Sequence, residues 1–165
     1  MSTYNTLVKL TNAVKNAFAD IDVQLKARFD LIDNLVNTVK GYAVHEQKTL
    51  ENLTNARTSF LSATTPEQKM QADGVLTGAL KSIFAVSENY PDLKANQNFL
   101  QLQQELSDIE NKIAATRRFY NSAINEYNTT IESFPTNIIA QVFGFKQREF
   151  FDAASQEKEL PKVTF

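Results

Sequence analysis

His45 is the chain's one histidine, and Glu46 follows it. A His-Glu pair opens the helix of a zinc protease, but that site needs a second His four residues after the first. Position 49 is Thr. A Glu-x-x-His pair, which would furnish a di-iron bundle, is missing from the sequence as well. The absence of Cys removes thiol nucleophiles, disulfides and thiolate ligands. Ser59, Ser62, Thr64 and Thr65 cluster without a base at a spacing that would activate a hydroxyl. They fall where helix capping explains them. Neither a catalytic residue, a metal nor a cofactor is expected, and His45 reads as a partly exposed helix residue.

Five charged residues fall on or beside apolar stripes: Arg28, Glu46, Arg57, Glu110 and Arg117. Buried charge has to be paired, so cross-helix Arg–Glu contacts are expected among them. One reading makes them a polar seam that fixes helix register. The other makes them a cavity that binds a small ligand or a metal, with shifted pKa values.

The elements that would position these residues are helical. From Ser2 to Ser62 the apolar residues step by three and four, or by sums of these: Leu7, Leu10, Val14, Phe18, Ile21, Leu25, then Ile32, Val36, Val39, and later Leu50, Leu53 and Phe60. This predicts one long first helix, continuous or bent at Gly41, with a sharp break there as the alternative. Thr65, Pro66 and Glu67 make a helix start. A second helix then runs to about Ser87, ended by Pro91. Asn96 or Asn98 can cap a third, whose heptad seam is Phe99, Leu102, Leu106, Ile109, Ile113, Tyr120, Ile124, Tyr127 and Ile131. Phe134-Pro135 ends it. Thr136 can cap a short fourth helix over residues 137–143, with Gly144 as its stop. Residues 147–156 suggest a further helical turn, and residues 160–165 an extended tail.

The fold class is therefore all-α. It is an antiparallel bundle of long helices, three long ones plus a shorter C-terminal segment, resembling a four-helix bundle. Residues 1–165 are expected as a single domain. A first helix of that length overhangs its neighbours, so its amino-terminal half needs a cover. The C-terminal Phe- and Ile-rich segment is the leading candidate, and self-association or a partner the other.

With 17 basic and 19 acidic residues, the chain has no field suited to holding nucleic acid. Arg117-Arg118-Phe119-Tyr120 is an isolated basic-aromatic patch, and no glycine-rich phosphate loop occurs. No apolar run approaches the roughly 18 residues of a spanning helix. Met1-Ser2-Thr3 does not open a signal peptide.

Several stretches, taken in order, resemble the LemA family over nearly the whole chain. They are Tyr4-Asn5 with Leu7-Val8, "IDVQLKARFDLIDNLVNTVKGYAVHE" from Ile21, Ala56-Arg57, and "ENYPDLKANQNFLQLQQELSDIENKIAATRRFYN" from Glu88. Tyr127-Asn128, "FPTNIIAQVFGF" and Phe150-Phe151 complete the match. Departures are Asp33 where the family usually has Pro, Phe18 where it often has Trp, and Ala27 in place of a second basic residue. Loss of the Pro should straighten the first helix near residues 31–35.

The resemblance implies an antiparallel bundle of long helices. It also implies a bacterial protein tethered by one membrane helix just before the Tyr-Asn pair, its domain facing outside the cytoplasm. Only three residues precede Tyr4 here, so the chain is expected to be the soluble domain of such a protein, or a natural variant lacking the tether. No catalytic residues carry over. The leading expectation is a non-enzymatic scaffold whose partners are envelope proteins, a membrane peptidase among them. The alternative is a ligand- or metal-binding bundle built on the polar seam.

Overall fold

The computed structural model describes residues 2–152. Among these are seven helices and no strand: α1 (Ser2–Asp30), α2 (Ile32–Lys40), α3 (Gln47–Ser62), α4 (Pro66–Ser87), α5 (Pro91–Ala95), α6 (Gln97–Glu132) and α7 (Thr136–Phe143). The all-α bundle class is as read. Contacts divide the described chain into two compact units. Unit 1 holds residues 2–26 and 109–151, and unit 2 holds residues 27–108 and 152.

The first helix, expected as continuous or bent at Gly41 with a sharp break there as the alternative, is three helices, and the larger interruption begins at Gly41. One interruption is a single-residue turn at Leu31, whose backbone stays in the right-handed helical region at φ −80°, ψ −15°. The absence of Pro at position 33 therefore does not make the chain run uninterrupted there. The larger break spans residues 41–46. Gly41 itself is helical, at φ −68°, ψ −19°; the backbone leaves the helix by Glu46, at φ −103°, ψ 39°. The physical reason is burial. Val39 and Ala43 on one side of the break, and Leu50 and Leu53 on the other, enter one core with Leu76, Ile83, Leu93 and Phe99. The chain must fold back to bring them there. The stripe stays in phase across the break, so periodicity alone reads straight through it.

Local chemistry sets the other boundaries. Thr65 accepts from the Gln68 backbone N–H at 3.2 Å, and the Gln68 side chain accepts from the Thr65 backbone N–H at 3.4 Å. That is a reciprocal capping box ahead of Pro66 at the first helical position. A three-residue turn joins α3 to α4, so the two run antiparallel. Asn96 caps α6, its Oδ1 accepting from the Phe99 N–H at 3.1 Å. Phe84 and Phe99 meet edge to face at 6.0 Å between ring centres.

In unit 1 the α6 seam is buried at Ile113, Tyr120, Ile124, Tyr127 and Ile131, and the α1 stripe at Leu7, Val14, Ala17, Ile21 and Leu25. Phe18 packs on Tyr120 at 5.8 Å. The expected Thr136 cap is absent: α7 starts at Thr136 behind Pro135, with no side-chain cap. The Asn137 N–H bonds to the Ser133 carbonyl at 2.8 Å instead. Gly144 closes α7 in the left-handed region, at φ 74°. The Phe145 N–H bonds to the Ala140 carbonyl at 2.9 Å and the Gly144 N–H to the Gln141 carbonyl at 3.4 Å, the pairing of a Schellman stop.

Residues 147–152 are not helical, contrary to expectation. Residues 153–156 and the tail at 160–165 lie outside the described residues.

Candidate functional site

Of the five seam candidates, Arg28, Glu46 and Arg57 belong to unit 2 and Glu110 and Arg117 to unit 1, and within each unit each has its own partners or surroundings. Arg28, in the last turn of α1, is 4% exposed, and its partner is an aspartate, not a glutamate. Arg28 Nη1 donates to Asp73 Oδ1 at 2.8 Å and to Thr77 Oγ1 at 2.9 Å. Thr77 Oγ1 donates in turn to the Asp73 carbonyl at 2.9 Å, so α4 presents a prepared acceptor pair. A cation in the last turn also suits the α1 dipole.

Arg57, half-buried, pairs with the more exposed Asp33 at 3.0 Å and lies over the Phe29 ring at 4.9 Å. Glu46 sits at the start of α3 and accepts from the Tyr90 hydroxyl at 3.2 Å. Removal from water, then the Glu46 charge, then that hydrogen bond hold the Tyr90 hydroxyl above its ordinary pKa of 10.0. These three sites belong to unit 2, and each meets a partner from another element. In unit 1, Glu110 is exposed and Arg117 lies over the Phe151 ring at 5.9 Å. Among the described residues, Arg28 and Arg57 are paired with aspartates and not with the expected glutamates. The partners that do the pairing are Asp33 and Asp73. His45 is exposed. Among the described residues, no group of three metal-ligating side chains is close enough to hold an ion.

Unit 1 contains a constellation that charge patterning does not reveal. After α7 the chain runs back along α6. The Gln147 side chain bonds to the Glu132 carboxylate. Asn128 donates to the Arg148 carbonyl at 2.9 Å and accepts from the Arg148 N–H at 2.9 Å. Asn121 does the same to Phe151, at 2.9 and 2.7 Å. Each amide thus supplies the donor and acceptor that a neighbouring strand would supply. The spacing matches. Seven residues of α6 rise about 10.5 Å, and three residues of extended chain about 10 Å. The Arg148 guanidinium lies over the Tyr127 ring at 5.1 Å, and the Phe151 ring is buried beneath Arg117. The visible signal is a repeated Tyr-Asn, at 120–121 and 127–128. The Tyr residues enter the seam and the adjacent Asn residues reach the returning strap.

The end of unit 1 formed by α7 and the first turn of α1 is apolar and open. Tyr4 packs on Phe143 with the rings tilted, at 4.8 Å, and meets Phe145 edge to face at 6.0 Å. Unit 2 carries a groove of about 500 Å³ between α2 and α3, lined by Val36, Val44, Leu50, Lys40 and Glu51 among others. No helix among the described residues is long and apolar enough to cross a membrane.

Seamed helices, side-chain caps and internally closed charges define an all-α helical-bundle domain. The LemA family profile matches residues 17–165, and the chain belongs to the LemA family. It is 33% identical over 159 residues to Protein LemA of Metamycoplasma hominis, covering 93% of this chain and 71% of that relative. It is 27% identical over 190 residues to Magnetosome protein MamQ 2 of Paramagnetospirillum magneticum, covering 98% and 68%. Magnetosome protein MamQ of Magnetospirillum gryphiswaldense is 24% identical over 174 residues, at 90% and 64% coverage.

Proposed function

We propose that this chain is a non-enzymatic interaction or scaffold domain of a membrane-tethered protein of the bacterial envelope, facing outside the cytoplasm. One observation carries the reading: three of the charged side chains on or beside its apolar faces have partners within the fold. Arg28 is held by Asp73 and Thr77, Arg57 by Asp33 and Phe29, and Glu46 by Tyr90. They brace helices, and among the described residues they form no converging set of groups for a substrate. What the domain offers instead is its exterior, including the exposed Val44, Leu61 and Val75 of unit 2. Its partners are other envelope proteins, with a membrane peptidase as one candidate, and the tether is a helix ahead of Tyr4.

The test places a photo-cross-linking residue at Val44, Leu61 or Val75 of the full-length protein in living cells. A discrete protein adduct from one of these positions supports the reading. Adducts from none of them, in a protein that fractionates away from the membrane, contradict it.

A further inference from the structure

We propose that the end of unit 1 built from α7 and the first turn of α1 docks on the surface of a bilayer containing anionic lipids. The proposal concerns residues of this chain alone and does not depend on a tether.

Residues 133–145 carry no charged side chain. Within them Phe134, Ile138 and Val142 recur every four residues, and they are 80%, 52% and 72% exposed. Phe143 is 58% exposed, and Ala140 alone of α7 is buried. A helix that packs on its own protein turns its apolar stripe inward. This one turns it out, the orientation of an interfacial helix whose apolar side chains sink into the boundary between headgroups and acyl chains. Tyr4, on Phe143 and Phe145, belongs to the same end. Its ring has an apolar body and a polar tip, suited to headgroup depth.

Charge singles out a lipid surface over a second copy or an apolar protein partner. The whole chain has 17 basic and 19 acidic residues. Beside the apolar end in sequence lie Lys9, Lys146 and Arg148 against Glu132, whose carboxylate the Gln147 side chain holds, and Glu149, which leaves fourteen basic against seventeen acidic residues elsewhere. A net-negative protein is repelled by an anionic membrane unless its positive charge is gathered beside the contact. Here three cations against two carboxylates give the surroundings of the exposed apolar end a positive balance that the rest of the chain lacks.

The test is co-sedimentation of the 165-residue chain with vesicles of phosphatidylglycerol and phosphatidylcholine in equal parts, and with phosphatidylcholine alone. The chain should bind the anionic vesicles, and less so as ionic strength rises. Phe134→Ser with Val142→Ser removes two exposed side chains without touching the core. It should weaken binding about tenfold, because apolar burial drives interfacial insertion. Val44→Ser, an exposed change in unit 2, should leave binding unaltered. Lys9→Glu with Lys146→Glu should abolish the preference for anionic lipid. Absence of binding to anionic vesicles overturns the proposal, as does equal binding by the Phe134→Ser, Val142→Ser protein. A concentration-dependent dimer in sedimentation velocity that this pair of substitutions dissolves would assign the surface to a second copy, and overturns it too.

Discussion

Asn121 holds Phe151 by both halves of its side-chain amide, accepting from the Phe151 N–H at 2.7 Å and donating to the Phe151 carbonyl at 2.9 Å. One heptad further along the same helix, Asn128 grips Arg148 in the same way. The two clamps fix a returning strap on α6 at two points whose separations on helix and strap agree. Phe151 is thereby seated in a buried position, under the Arg117 guanidinium. One repeated dipeptide thus supplies two tyrosines of the α6 seam and both clamps that place the strap.

Replacing Asn121 with Ala leaves the Phe151 N–H and carbonyl without that partner, in a site partly closed to water. The expected loss is about 1–2 kcal/mol. Hydrogen exchange is the measurement: the Phe151 amide should exchange faster while amides of the α6 seam keep their protection. Asn128→Ala should act likewise on Arg148. The two should combine non-additively, because they hold one segment.

The buried Arg28–Asp73 pair makes a contrasting prediction. Arg28→Met alone leaves a carboxylate in a site where the acid side chain is 9% exposed. Loss of about 3–5 kcal/mol is expected in denaturant unfolding. Joining Arg28→Met to Asp73→Leu removes both charges and should recover most of that loss, since the desolvation of two ions is avoided. A double variant as unstable as the single one would mean that the pair's geometry, not its charge, organises α1 against α4.

Tyr90 supplies the pH dependence. Its folded pKa is raised, first by removal from water and then by Glu46. The unfolded chain therefore ionises first as pH climbs through about 10. The stabilising contribution is complete below that pH and is lost as pH rises through the folded pKa. A carbon-13 NMR titration of the Tyr90 ring should place its midpoint above that of an exposed tyrosine. Glu46→Gln should lower that midpoint, because it removes the neighbouring charge.

Thr65→Ala breaks the capping box of α4 and should cost about 1 kcal/mol in denaturant unfolding. Gln68→Ala removes only the return bond to the Thr65 N–H and should cost less, because Thr65 still caps the Gln68 N–H.

The legible parts of the chain are those governed by short range. Thr65-Pro66, Asn96 and Gly144 mark helix ends through bonds or dihedrals that span only a few residues, and the α6 seam repeats on its own helix. The break at 41–46 is legible only as an alternative, from Gly41, because Val39, Ala43, Leu50 and Leu53 keep one phase across it. Only the shared core shows that the chain turns back. The polar partners were hidden for a related reason. Asp73 lies between Ala72 and Gly74, three residues before the buried Leu76, so its place on the inner face of α4 can be read. That Arg28 meets it, 45 residues away in sequence, cannot. The clamps of Asn121 and Asn128 span 30 and 20 residues, and an exposed-looking Asn gives no sign of its partner.

The most direct measurement for the scaffold reading is cross-linking in intact cells followed by purification of the full-length protein from the membrane fraction. The prediction is an envelope protein recovered in fixed ratio, whose capture survives Arg28→Met with Asp73→Leu, because those charges serve only the fold. Recovery of the protein alone from the soluble fraction would contradict the reading.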